Sequence, residues 1–207
     1  MLTTLLYGSC ACHSINYTIS LPPHSPNFLE SRLDHCSTCR HVTGSLLHAW
    51  LITPIESVTF TLSSPSSPPQ TTLTREPLEE RIAKDGISNL ELSAKDFLNQ
   101  LYHLKETRRI STYASSPSIT RVFCPECGTH IFGFPTPPSQ SSDSVSKPRT
   151  EEASETIHIS LGTLTDESLE AEGVKPNGHW QWEFGVPWVK RILERGDGGL
   201  IKHLGTN

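Results

Sequence analysis

Apolar and polar residues alternate over short runs along this chain, and no run is long. Between residues 7 and 21 the alternation puts Ile15, Tyr17 and Ile19 on one face, the period-two pattern of a half-buried strand, and predicts a hairpin. The runs 48–52 (His-Ala-Trp-Leu-Ile) and 58–62 (Val-Thr-Phe-Thr-Leu) read as two further strands with Pro54 between them. Thr120-Arg121-Val122-Phe123 and His130-Ile131-Phe132-Gly133-Phe134 read as another pair joined by a short turn, and a last strand is predicted over 156–161. One stretch has the helical period: Phe97, Leu98, Leu101 and Leu104 share a face over 95–104, with Ser93 or Asp96 placed to cap its start. Two stretches break the pattern. Residues 63–70 (Ser-Ser-Pro-Ser-Ser-Pro-Pro-Gln) read as a surface loop, and 135–154, rich in Pro and Ser, as a disordered insertion that could also serve as a lid.

Composition narrows the picture. A length of 207 residues suits one domain with embellishments. Hydrophobic residues make up 35% of the chain, and 13 glycines and 16 prolines interrupt its elements, which argues against a long helical bundle. The balance of 17 Lys+Arg against 22 Asp+Glu gives a net charge of -5, with no concentrated basic run of the kind that grips phosphates. Nucleic acid is therefore not expected as a partner. No stretch approaches the roughly 18 apolar residues that span a bilayer, and residues 1–6 lack the basic start of a signal peptide. The expectation is a soluble cytoplasmic protein that meets neither membrane nor nucleic acid.

Against that background the six cysteines stand out, because they fall in close pairs: Cys10 and Cys12, Cys36 and Cys39, Cys124 and Cys127. Three disulfides would need an oxidising compartment that nothing in the chain points to. A Cys-x-x-Cys turn, as in Cys36-Ser37-Thr38-Cys39 and Cys124-Pro125-Glu126-Cys127, aims two sulfurs at one tetrahedral ion about 2.3 Å away, and Gly128 after the second pair suits a zinc knuckle. A redox dithiol is the competing reading of the same spacing, although the strand-turn-strand pattern around Cys124 departs from the strand-to-helix setting such dithiols use. Cys10 and Cys12 together with Cys124 and Cys127 complete one four-sulfur set, a structural zinc that would tie distant parts of the chain together. Cys36 and Cys39 are short of ligands and must borrow Asp34, His35, His41, a distant side chain or water. An ion held by so few protein groups keeps an open position for chemistry.

These residues resemble a known family. Tyr7-Gly8-Ser9-Cys10-Ala11-Cys12 with Ile15-Asn16-Tyr17, His35-Cys36-Ser37-Thr38-Cys39-Arg40 with Thr43-Gly44-Ser45 and Ala49-Trp50, Tyr113-Ala114-Ser115-Ser116, Arg121-Val122-Phe123-Cys124-Pro125-Glu126-Cys127-Gly128-Thr129, and Leu161-Gly162-Thr163-Leu164-Thr165-Asp166 are similar, in that order, to the motifs of the glutathione-dependent formaldehyde-activating enzyme family, also called the CENP-V/GFA domain. The resemblance implies an Mss4-like, mostly β fold stapled by zinc. It implies a single domain over 1–207, with insertions at about 65–110, bearing a small helix, and at 135–154. It further implies Cys10, Cys12, Cys124 and Cys127 as ligands of a structural Zn2+, and Cys36 and Cys39 as two ligands of a second, catalytic Zn2+. Where the family motif carries its first cysteine this chain has Asp34. A carboxylate is an acceptable zinc ligand and would make the ion a stronger Lewis acid than three thiolates do. Asp34 reads equally as a turn cap that accepts a backbone N–H near Cys36.

The implied activity is that of a zinc-dependent carbon–sulfur lyase acting on a small molecule or its thiol adduct. Asp34, Cys36, Cys39 and His35 are the candidate catalytic residues, and glutathione is a candidate cosubstrate. A hydrolase, hydratase or cyclase using zinc-bound water on a secondary metabolite is an alternative, as is a zinc-stabilised binding module without chemistry. His41, His48 and His130 lie near the motifs in sequence alone and none is singled out. Arg40 and Arg121 could hold an anion near the metal or pair with carboxylates in the fold. Trp180, Trp182 and Trp188 could line an apolar pocket for an aromatic substrate, or finish the core against a terminal helix.

Overall fold

The computed structural model describes residues 4–22, 29–63, 89–136 and 156–196. The expected loop beyond Ser63, the first insertion as far as residue 88 and positions 137–154 of the second lie outside the described residues. The architecture is mostly β, as the alternation predicts, and consists of two sheets with short helices.

The smaller sheet contains β1 (Thr4–Ser9), β2 (Ile15–Leu21), β5 (Val58–Leu62) and β6 (Leu90–Ser93), antiparallel and in that spatial order. Ile15, Tyr17 and Ile19 are buried along one face of β2, because successive strand side chains point to opposite faces. The larger sheet runs β11 (His179–Trp180), β3 (Glu30–Asp34), β4 (His48–Pro54), β10 (Thr156–Ser160), β9 (His130–Pro135), β8 (Ile119–Phe123) and β7 (Ser111–Ser116). All its pairs are antiparallel except β11 with β3. The strands β3 and β11 carry little alternation of their own. Pairing places them: Asp34 stands opposite His48 on one side and beside Trp180 on the other.

The sheets meet through three aromatic rings. Phe60 of the smaller sheet lies 5.0 Å from Phe132 of the larger one, and Phe97 sits 4.7 and 5.4 Å from the two. All three are fully buried, and centroids at these spacings add to the burial energy of each ring. Phe97 comes from the predicted helix, which is two helices, α2 (Ala94–Asn99) and α3 (Leu101–Glu106), parted at Gln100. Ser93 caps the first by accepting the Asp96 N–H at 3.1 Å. Phe97 and Leu104 are both fully buried across the break. The described part of the expected first insertion, 89–110, is thus built into the core, where β6 extends the smaller sheet.

The remaining helices are α1 (Ser37–Thr43), α4 (Asp166–Leu169) and α5 (Pro187–Arg195). The segment leading into α4 clamps the first strand: Thr165 N–H donates to the Tyr7 carbonyl at 2.9 Å, and Tyr7 N–H donates to Ser168 Oγ at 2.8 Å. Tyr17 reaches the same segment through its hydroxyl, 2.6 Å from Thr163 Oγ1. Gly8 leaves room for that ring, since a Cβ there would run into Tyr17. Among the described residues no helix is long and apolar enough to cross a membrane.

Removing the ring that joins sheets and helix leaves a cavity, so Phe97→Ala is expected to cost about 3–5 kcal/mol of unfolding free energy. Exposed Tyr102→Ala, one turn on, is expected to stay within about 0.5 kcal/mol. Urea unfolding of the two variants beside the parent chain checks the contrast.

Candidate functional site

Two clusters of ligand-type side chains form in the fold. In the first, the turn between β1 and β2 carries Cys10 and Cys12, and the turn between β8 and β9 carries Cys124 and Cys127. Local backbone bonds shape both turns. Cys10 N–H donates to the Ile15 carbonyl at 2.9 Å, and the Gly128 N–H donates to the Cys124 carbonyl at 2.9 Å with Gly128 at φ +73°. That positive φ is open to glycine without strain. The turns are joined where Ala11 N–H donates to Thr129 Oγ1 at 3.1 Å.

The four sulfurs lie within 4.8 Å of one another. Cys10 and Cys12 are 3.5 Å apart and Cys12 and Cys124 are 3.6 Å apart. A tetrahedron with metal–sulfur bonds of 2.3 Å has edges of about 3.8 Å, so the cage fits zinc. Hydrogen bonding, chiefly from Cys10 and then from Ser14, holds the Cys124 thiol down at about 4, while the bond to Cys124, together with burial, pushes Cys10 up. Ser14 went unnoticed in the sequence, where it has no motif. Its Oγ lies 3.5, 3.2 and 3.1 Å from the sulfurs of Cys10, Cys12 and Cys124, so its hydroxyl is placed to donate to thiolate.

The second cluster sits where β3 runs into α1. Cys36 is the N-cap of α1 and Cys39 lies in its first turn, a spacing that puts the two on one side of the helix. The ligand atoms of Asp34, Cys36 and Cys39 lie within 4.8 Å of one another. The two oxygens of Asp34 do different things. Oδ1 accepts the Cys36 backbone N–H at 2.9 Å and so caps the turn, while Oδ2 lies 3.0 Å from Cys39 Sγ. Trp50 fixes the carboxylate by donating its indole N–H to Oδ2 at 3.2 Å, and Arg121 donates to Cys39 Sγ at 3.2 Å. Arg121 is itself held by Ser115 Oγ at 2.9 Å and by the Trp50 ring, 5.2 Å from the guanidinium. Burial, then the hydrogen bond to Asp34, pushes Cys39 to about 12, against the opposing pull of Arg121. One carboxylate and two sulfurs suit zinc with an open fourth position, and a cation there would favour the thiolate form.

His35 does not join this cluster. It is buried, its Nε2 is 2.9 Å from His179 Nδ1 and its ring stands edge-on to Trp182 at 4.9 Å. Residues adjacent in an extended segment project to opposite sides, which sends His35 toward β11 while Asp34 faces Cys39. Burial, then His179, lowers its pKa. Of the two arginines, Arg121 reaches the cluster and Arg40 contributes no bond to it. Of the C-terminal tryptophans, Trp182 packs against the terminal helix, as the second expectation has it, with Lys190 of α5 5.0 Å over its ring. Trp180 and Trp182 are half-buried and Trp188 is 46% exposed.

A cleft of about 520 Å³ opens beside both clusters. It is framed by the end of α1 and the loop after it, the start of β4, the second knuckle with Cys127, and residues 160–163. None of the four tryptophans lines it. His48 and His130 do, with ring centroids 5.4 Å apart and both packed on Trp50, at 4.1 and 5.4 Å. Burial above all, helped by nearby Arg121, holds them neutral, at about 4 and about 3.

The fold and site define a β protein with a four-cysteine cluster and an Asp-Cys-Cys cluster, each able to hold a metal ion. Residues 5–85 match the family model described as glutathione-dependent formaldehyde-activating enzyme, the family that the motifs resemble. The match takes in Cys10, Cys12, Asp34, Cys36 and Cys39, and it stops short of Cys124 and Cys127, which the fold brings back to it. No curated protein matches the chain.

The two clusters should differ in what their loss does. Chelation, or Cys124→Ser, is expected to lower the thermal midpoint by 10 °C or more, roughly the effect of losing a few kcal/mol in a chain of this size. Cys36→Ser is expected to leave the near-ultraviolet circular dichroism intact, because Asp34, Trp50 and Arg121 hold that corner by hydrogen bonds. Calorimetry and circular dichroism with and without chelator separate the two roles.

Proposed function

We propose that this chain is a zinc-dependent enzyme of the carbon–sulfur lyase type, acting on a small carbonyl compound or its adduct with a thiol such as glutathione. The convergence of Asp34, Cys36 and Cys39 at ligand distance is the observation that carries the reading, and the family match over the same residues supports it. Those three residues would hold the second zinc, and a bound zinc supplies Lewis acidity at its free coordination position. Cys10, Cys12, Cys124 and Cys127 would hold the first, whose part is to fix the two knuckles. The cytoplasm, which keeps thiols reduced, suits six ligand-type cysteines that are all free.

In the reaction a thiol sulfur bonds to the carbonyl carbon, the C=O π bond opens, and the proton leaving sulfur ends on the oxygen; the lyase direction reverses this. The chain's own side chains set the stage. Trp50 and the Cys36 N–H keep the Asp34 carboxylate in one orientation, and Arg121 holds the Cys39 sulfur from behind. Such supporting groups decide whether a site is accurate enough to work. His35 has no part in this scheme, since its ring is engaged with His179.

Metal content and turnover test the reading together. The parent chain is expected to carry two zincs and Asp34→Ala one, with formation or cleavage of a formaldehyde–glutathione adduct, followed by proton NMR, lost in Asp34→Ala and Cys36→Ser. Trp50→Phe, which removes a single N–H from the carboxylate, is expected to weaken the second zinc by about 10- to 100-fold. One zinc in both the parent and Asp34→Ala would sink the enzymatic assignment.

A further inference from the structure

The cleft beside the clusters has a chemical character of its own. Its described lining is aliphatic at Val42 and Leu47 and hydroxylic at Thr43, Thr129 and Ser160, and no described residue lining it is Lys, Arg, Asp or Glu. Its volume, about 520 Å³, falls in the usual range for small-molecule sites, about 300–1,000 Å³.

The two histidines in the lining have polar atoms left over. His130 is only 8% exposed, and its Nδ1 is 3.1 Å from Ser160 Oγ. Its Nε2 is buried without a hydrogen-bond partner among the described residues, and so is the Nε2 of His48. Buried nitrogens of this kind are costly to leave unpaired, and the cost is removed when a ligand supplies the partner. Both rings line the cleft, 5.4 Å apart by centroid and packed on Trp50, so the unpaired nitrogens lie just under a wall that a small molecule can touch, where a turn of either ring would let a ligand supply the missing bond.

We propose that this cleft binds an uncharged, oxygen-bearing small molecule, with His48 and His130 as its hydrogen-bonding and specificity-determining residues, and that it discriminates against carboxylates such as those of glutathione. The discrimination follows from the lining. A carboxylate would leave water for a site whose described lining holds no cation, the nearby Arg121 being engaged with Cys39, Ser115 and the Trp50 ring, and that is unfavourable without a charged partner. A neutral carbonyl, amide or hydroxyl loses less hydration, and it can give to or accept from an imidazole in either tautomer. His48 stands directly across the β3–β4 ladder from Asp34, and α1 supplies both Cys39 and Thr43. The cleft is therefore next to the Asp-Cys-Cys cluster without including it. The inference concerns binding, so it does not depend on the enzymatic reading.

Benzamide and benzoate, matched in shape and differing in charge, test it on the zinc-loaded full chain, with reduced glutathione as a third probe. Each is titrated while the histidine ring signals are followed by proton–nitrogen NMR. Benzamide is expected to shift the His48 and His130 ring resonances and to bind at least tenfold more tightly than benzoate or glutathione at those residues. His130→Phe and His48→Phe keep a ring and remove the nitrogens, and each is expected to weaken benzamide about fivefold or more. The charge comparison on the unmodified chain stands even if a variant fails to fold. Equal or tighter binding of benzoate or glutathione, no response of either ring to any probe, or unchanged benzamide affinity in a folded His→Phe variant each overturns the proposal. Absent turnover or a single zinc per chain would count against the enzyme and leave this result untouched.

Discussion

The rest of the structure depends on one closure, the meeting of Cys12 and Cys124 across 112 residues of chain. These side chains sit in separate hairpins of separate sheets, and drawing their sulfurs to 3.6 Å places the β1–β2 turn against the β8–β9 turn. The Phe60–Phe97–Phe132 contact does the same for the sheet faces. The two constraints differ in kind. Ring packing is non-directional and tolerates small shifts, whereas four ligands on one ion fix distances and angles together. The apolar contact brings the sheets together and the cage sets their register, which is how a chain with a modest apolar fraction can hold a defined site.

Legibility in the sequence followed how local each feature is. The hairpin over 7–21, the strands around Pro54 and the cap at Ser93 depend on residues a few positions apart, and the fold places them as the pattern predicts. The cysteine pairs could be read for the same reason, because two sulfurs two residues apart reach one point whatever the rest of the chain does. The strands β3 and β11 could not, because their neighbours rather than their own pattern make them strands. The parts played by Trp50 and Ser14, and the sulfur that Arg121 meets, were equally hidden. Each acts on a cluster through a tertiary contact, and an isolated Trp or Arg in a strand looks the same whether it faces a carboxylate or solvent.

Proximity in sequence does not decide which side chains meet. His35 sits between Asp34 and Cys36 and invited a catalytic role, yet the extended backbone turns its ring toward His179. A pocket was one of two readings of the C-terminal tryptophans, and the cleft is made instead by three other segments, 42–49, 127–130 and 160–163. His48 and His130, 82 positions apart, come within 5.4 Å because β4 and β9 both flank β10.

The departure at Asp34 has a physical logic that a third cysteine would not share. A thiolate is a weak acceptor for backbone N–H groups, whereas a carboxylate has two oxygens with several lone pairs. Asp34 uses one oxygen to cap the α1 turn and the other to meet Cys39 and Trp50. The second cluster is therefore held in shape by hydrogen bonds to backbone, indole and guanidinium, with its geometry set before any ion arrives. The four-cysteine cage is gathered differently: sulfur pairs lie at 3.5 and 3.6 Å, with the Ser14 and Thr129 hydroxyls and the Ile15 N–H as hydrogen-bond partners, and a bound cation would offset the repulsion among gathered thiolates. An ion bound at the Asp-Cys-Cys cluster would therefore meet ligands already oriented by backbone, indole and guanidinium, whereas an ion in the cage would be held chiefly by the sulfurs themselves.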